Sequence, residues 1–368
     1  MSGARVPNPA ALTRLGHAKR ELFLQSNHLR TLEGLRGLEA VHGTVVLDGL
    51  PELTDLSGLE DLAQIEGDLL IGACDRNGSG VYYDRYIESS ACETHNDALE
   101  NVDALSGLTS LEGDLLVANN DELTSLAGLG NIDSSDSIHL RNVVVIDNAK
   151  LPDFRGLDGW NRSVDTLLIA DNDALTNVEA LSGLPLDRNL WVLRNHSLTT
   201  LDGFPASWNT VSGGLWIREN PALTYVRVLD GVSTLGGVGI EENERLVQIS
   251  GLGATSIGSV VLIHNETLES LEGLRNLQEI GTLRVGGTSL SDLTALSALE
   301  SAEFVSLTQN PLLTSLRGLA ELGSVSYSLT ITGNDSLPDC EAAWLCARYP
   351  AAECVTADNG GDIGTCEP

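Results

Sequence analysis

The densest chemistry in this 368-residue chain lies between residues 74 and 95. Asp75-x-Asn77-x-Ser79-Gly80 follows the first half of a calcium loop, where alternate oxygen-bearing side chains face one cation and glycine allows the sharp turn. Asp84 adds a carboxylate, but the twelfth position is Tyr86, where such a loop needs a bidentate Glu. The same Asp/Asn/Gly pattern also describes an ordinary turn. Calcium is therefore a candidate for residues 75–88, through Asp75, Asn77, Ser79 and Asp84, and no other cofactor is expected. Cys74 and Cys92 bracket the stretch and can close it as a disulfide. With His95 they could instead begin a metal site, for which a fourth ligand is missing. Tyr82, Tyr83 and Tyr86 are half of the six tyrosines, and an exposed tyrosine cluster supplies contact area at low entropic cost.

The other four cysteines, Cys340, Cys346, Cys354 and Cys366, stand together at the C-terminus. No C-x₂-C spacing or neighbouring His supports zinc, so two disulfides are expected. Of three pairings, the nested set Cys340–Cys366 and Cys346–Cys354 is favoured. Disulfides imply an oxidising, extracellular or cell-surface location. Signals for catalysis are thin. The seven histidines form no H-E-x-x-H, and neither G-x-S-x-G nor a glycine-rich phosphate loop follows a strand. No catalytic residue is assigned.

These residues are carried by a repeat. Leu215 opens LWIRENPALTYVRVLDGV, Val305 opens VSLTQNPLLTSLRGLAEL, and Leu115 opens LLVANNDELTSLAGLGNI. The unit is L-x-I-x-x-N-x-x-L-T-x-L-x-G-L-x-x-L-x-x-I-x-G. Its Asn slot is filled in order by Asn27, Leu50, Cys74, Asn120, Asn148, Asn172, Asn195, Asn220, Asn243, Asn265, Gly287, Asn310 and Asn334. Most spacings are 22 to 25 residues; the 46 between Cys74 and Asn120 marks an insertion. Apolar residues at period two before the Asn predict one short strand per coil, stacked into a parallel sheet. A buried Asn at the corner can satisfy backbone groups that no longer pair within the sheet, so the column is structural.

The Gly-Leu pairs (Gly34-Leu35, Gly58-Leu59, Gly107-Leu108, Gly128-Leu129, Gly183-Leu184, Gly273-Leu274, Gly318-Leu319) and the N-x-x-L-T turns resemble the leucine-rich-repeat-like coils of the receptor L domain. Bacterial surface proteins with long arrays of the same coil are more similar still. The resemblance covers about residues 12–337. It implies a β-rich solenoid, a right-handed parallel β-helix or leucine-rich-repeat-like array of about 13 coils with a C-terminal disulfide cap. The cysteine-rich module of the receptors is missing, so receptor signalling is not implied. The expected organisation is a partial coil at 1–20, a solenoid at 21–337 interrupted by an insertion at 75–95, and a cap at 338–368. Glu341 to Arg348 reads as a helix with Trp344 turned inward. The start, without cap or secretory signal, is expected to be truncated.

In L-x-I-x-x-N the second and fourth residues face outward from the sheet. The second-position column includes Val144, Leu168, Trp191 and Trp216, and the fourth-position column includes Leu193 and Arg218. An apolar outward stripe ending in tryptophan and arginine has the composition of a binding hot spot, unless another part of the chain covers it. The 21 Lys+Arg against 52 Asp+Glu leave a net charge of −31, which excludes nucleic acid and anionic membrane as partners that need clustered cations. No apolar run is long enough to span a bilayer. The reading is a non-enzymatic extracytoplasmic binding or adhesion module for a protein or glycan at a cell surface. Its alternatives are a structural spacer and a β-helix carbohydrate-active enzyme.

Overall fold

The computed structural model describes residues 17–18, 20–25, 28–72, 95–132, 140–160, 163–204, 210–227, 232 and 234–361. The fold is a parallel β-solenoid of about 13 turns with a disulfide-bonded C-terminal cap. It divides into two compact units, Met1–Leu186 and Asp187–Pro368.

In the first unit, β1 (His17–Ala18), β3 (Ala40–Val41), β5 (Gln64–Ile65) and β7 (Ser110–Leu111) form a short parallel sheet. The main sheet runs β2 (Leu22–Gln25), β4 (Val45–Asp48), β6 (Leu69–Ile71), β8 (Leu115–Ala118), β9 (Leu140–Ile146) and β10 (Val164–Ala170), all parallel. The leucine spacing builds the core: Leu53, Leu56, Leu59 and Leu62 of one coil are 0–1% exposed. Burying each such side chain contributes roughly 1.5–3 kcal/mol. The chain returns through 3₁₀ turns such as Glu33–Leu35 and Ala127–Leu129, where a leucine N–H donates to the leucine carbonyl three residues back. The glycine of the Gly-Leu pair is a packing requirement. A Cβ on Gly128 would stand 1.8 Å from the Val102 carbonyl oxygen of the preceding coil.

A ladder of buried Asn amides runs along the coils. Asn120 Nδ2 lies 3.2 Å from Ile71 O in the coil before, 2.8 Å from its own coil's Ala118 O, and 3.0 Å from Asn148 Oδ1 in the coil after. The residue ahead of most rungs sits in the left-handed region, as Asn119, Asp147, Asp171, Arg194, Glu219, Glu242, His264, Gln309 and Asp358 do. That conformation is costly for non-glycine residues, and the ladder's hydrogen bonds offset it.

Two slots differ from the sequence assignment. Asn96, not Cys74, is the rung of the interrupted coil: its Oδ1 accepts from Leu50 N–H, and its Nδ2 reaches Leu47 O and Asn120 Oδ1. The insertion therefore falls between β6 and the rung. Thr288, not Gly287, takes the other slot, its hydroxyl donating to Asn310 Oδ1 at 2.7 Å, while Gly287 holds the left-handed position at φ 64°.

The second unit begins within β11 (Leu186–Leu193) and continues through β12 (Thr210–Arg218), β14 (Thr234–Glu241), β16 (Ser256–Asn265), β17 (Glu279–Thr288), β18 (Ser301–Thr308), β19 (Ser324–Thr332) and β20 (Glu353–Ala357). A separate parallel pair is formed by β13 (Tyr225–Arg227) and β15 (Gln248–Ser250). The cap contains α1 (Asp339–Arg348), β20 and the Cys346–Cys354 disulfide. Cys340 is also disulfide-bonded, and Cys366, its expected partner, lies outside the described residues. β20 pairs with β19, and Asn359 accepts from Asn334 and donates to Ile331 O, so the cap supplies one more rung. Trp344 is not turned inward. The buried residues of α1 are Glu341, Ala342 and Leu345, while Trp344 is half-buried, with the guanidinium groups of Arg317 and Arg348 4.3 and 5.5 Å from its ring centroid. Glu341 makes the helix dock: its carboxylate accepts from Leu316 N–H, Ser315 Oγ and Arg317 Nε.

Candidate functional site

The period-two alternation that fills the core also decides what each sheet presents outward. In the first unit four of the outward second-position residues are covered, Val46 at 4% exposed and Leu116, Val144 and Leu168 at 0%, while Phe23 and Leu70 are half-buried. Leu168 is therefore not part of an accessible stripe. Leu193 in the second unit is buried as well.

Trp191 and Trp216 stay half-buried on neighbouring strands, paired in register, with ring centroids 5.5 Å apart and planes inclined by 26°. The strand spacing fixes that separation. The next residue in the column is Gly239, and the six-membered ring of Trp216 lies over it. The glycine is a seat for the ring, because a Cβ there would run into it. Arg218, two residues further along β12, is exposed but engaged. Its guanidinium pairs with Glu219 at 3.2 Å and Glu242 at 2.9 Å, and the bond to Glu242 raises its pKa further. These carboxylates draw it to the turn edge, beside a groove of about 560 Å³ lined by His196, Glu219, Glu242, Glu244, His264 and Glu266.

A second aromatic pair was not singled out from the sequence. Phe304 and Tyr327 stack with centroids 4.8 Å apart at 13°, both exposed on β18 and β19. They stand one or two residues before the inward Val305 and Leu329, outside the columns that the repeat marks.

Asp75, Asn77, Ser79, Asp84, Tyr82, Tyr83, Tyr86, Cys74 and Cys92 lie outside the described residues. At the exit of that insertion, His95, Asp97 and Asp121 place one ligand atom each within 4.8 Å of one another, a set able to hold a divalent metal ion. Asp147, on the following coil, has its pKa raised by burial and by the charges of Asp121 and Asp171. His95 did appear as a metal candidate; among the described residues its companions are Asp97 on its own coil and Asp121 on the next, while Cys74 and Cys92 lie outside the described residues.

No protein-family model matches the chain, and no curated protein matches it. Among solved structures, an internalin from Listeria monocytogenes is 13% identical, with 96% of this chain and 83% of that chain covered and a TM-score of 0.45. A leucine-rich-repeat protein from Leptospira interrogans is 15% identical, with 95% and 99% covered and a TM-score of 0.28.

Proposed function

We propose that the chain is a non-enzymatic binding module that holds a protein partner on the outward sheet face of its second unit. The observation that carries this reading is the stacked Trp191–Trp216 pair, half-buried on a sheet face where the coil itself requires no aromatic. Tryptophan at such a site dominates binding energy, with losses of about 2 kcal/mol or more on truncation. Trp216 gives one face to Trp191 and rests its six-membered ring on Gly239, which leaves little free face for a sugar to stack on and favours protein over glycan. The Cys346–Cys354 bridge supports an extracytoplasmic setting, where disulfides persist.

The test is a binding screen against surface and secreted proteins and against glycans, repeated with Trp191→Ala/Trp216→Ala. The expected result is a protein ligand whose affinity falls at least about thirtyfold, with a stability change near 1 kcal/mol. Sharply lower stability with unchanged binding would make the pair part of a covered core.

A further inference from the structure

The second unit also carries a notch where the repeat is one residue short. Gln248 is in register with Tyr225 on one side and bridges Ser270 on the other. Ser256 is likewise in register with Thr234 and Glu279. The path from Tyr225 to Thr234, and from Ser270 to Glu279, takes nine residues, whereas Gln248 to Ser256 takes eight. The following coil uses its length for the 3₁₀ turn Glu272–Leu274. The short coil instead crosses as Ser250-Gly251-Leu252-Gly253, with no 3₁₀ turn between β15 and β16 and with Gly251 left-handed at φ 79°. Leu252 and Ala254 still fill the core. Glycines on either side of Leu252 put no side chain into the space that the missing residue leaves.

That space is a cavity of about 360 Å³, within the size range of small-molecule sites. Ser250, Gly251, Leu252 and Gly253 of the short crossing line it. Arg227 enters from the coil before and Arg275 from the coil after, joined by Asn276. Two of only 21 Lys+Arg thus converge on one opening of a chain with net charge −31. Glu272 lines the same cavity and receives a hydrogen bond from Arg275 Nη1 at 2.7 Å, so one carboxylate already occupies part of the arginine's fork.

We propose that this notch binds an oxyanion, the phosphate or sulfate group of a small ligand of about monosaccharide size, between the guanidinium groups of Arg227 and Arg275. Arginine forks match tetrahedral oxyanions through paired charge-assisted hydrogen bonds, and a glycine-lined backbone lets the ligand approach closely. Glu272 is the internal competitor that the ligand displaces from Arg275.

Calorimetric titration of the full chain with inorganic phosphate, inorganic sulfate, glucose 6-phosphate and glucose tests this. Phosphate and sulfate should bind weakly, glucose 6-phosphate about tenfold more tightly, and glucose not at all. Arg227→Gln and Arg275→Gln should each weaken the sugar phosphate about tenfold or more, and Glu272→Gln should tighten it severalfold. All three side chains are exposed, so melting temperatures should hold. One Ala inserted after Gly253 restores the nine-residue path and should abolish binding with both arginines present. Equal affinity across the charge variants, binding retained in the insertion variant, or no binding of any anion would each overturn the proposal.

Discussion

Trp216 and Gly239 are fitted to each other: a Cβ at position 239 would stand 2.2 Å from Cε3 and 2.3 Å from Cζ3 of the tryptophan. The pairing in register across β12 and β14 makes this unavoidable for any larger residue. Gly239→Ala should therefore unseat the ring and disturb its stack on Trp191. The backbone of Gly239 is not left-handed, so the coil can accept alanine, and overpacking should cost only about 1–2 kcal/mol. The coupled near-ultraviolet circular dichroism of the two indoles should collapse while the far-ultraviolet spectrum stays. An unchanged near-ultraviolet signal would mean that the ring has another resting place.

The Asn ladder predicts a loss of a different size. Asn220 accepts from Asn195 N–H and shares its own amide hydrogens among Val192 O, Arg218 O and Asn243 Oδ1. Asn220→Ala strands at least two of these buried groups, at about 1–3 kcal/mol each. The stability loss should reach about 3 kcal/mol or more, measured by chemical denaturation. Thr288 offers the reverse experiment. Its hydroxyl serves Asn310 Oδ1 but, among the described residues, reaches no carbonyl of the coil before, as Asn243 does at Ile217 O. Thr288→Asn should complete the rung and add about 0.5–1 kcal/mol. A loss in that variant would show that the column tolerates hydroxyls for a steric reason.

The coil was legible because its requirements are local and repeated: inward Leu/Ile at period two, an amide at the corner, and glycine where coils touch. The same signals were present for the rungs that were misplaced. Asn96-x-x-Leu99 fits the repeat, and Leu99 is buried, but the 22-residue insertion hid the match behind Cys74. Asn359 follows Asn334 by 25 residues, within the normal period, although Cys354 stands where the repeat wants leucine. What could not be read was anything set by contacts between coils rather than within one. Leu168 and Trp191 occupy the same slot in the repeat, yet one is fully covered and the other is not. Likewise the His95–Asp97–Asp121 cluster exists only because neighbouring rungs stack, and the oxyanion notch only because one coil is short by a residue.

The last prediction concerns Asp147, whose side chain follows β9 at a left-handed position, φ 54°. Burial is the main cause of its raised pKa, with Asp121 and Asp171 adding repulsion and His95 partly opposing them. A carboxyl raised in the folded state binds its proton more tightly there than in the unfolded chain. Stability should therefore decline as pH rises from the ordinary Asp value of 3.8 through the folded value, and the full penalty is present at neutral pH. Asp292 has the opposite sign. Hydrogen bonds from the Thr294 hydroxyl and N–H lower its pKa, so its contribution is lost as pH falls. Asp147→Asn isolates the first effect, because asparagine tolerates the left-handed backbone and carries no charge. Melts across pH, run with chelator so that no cation on His95, Asp97 and Asp121 masks the repulsion, should show the variant more stable by about 0.5–1 kcal/mol at neutral pH. The advantage should shrink toward zero below pH 3.8, where both states of the wild type are protonated. A gain independent of pH, or a loss at neutral pH, would place the effect in packing rather than in charge.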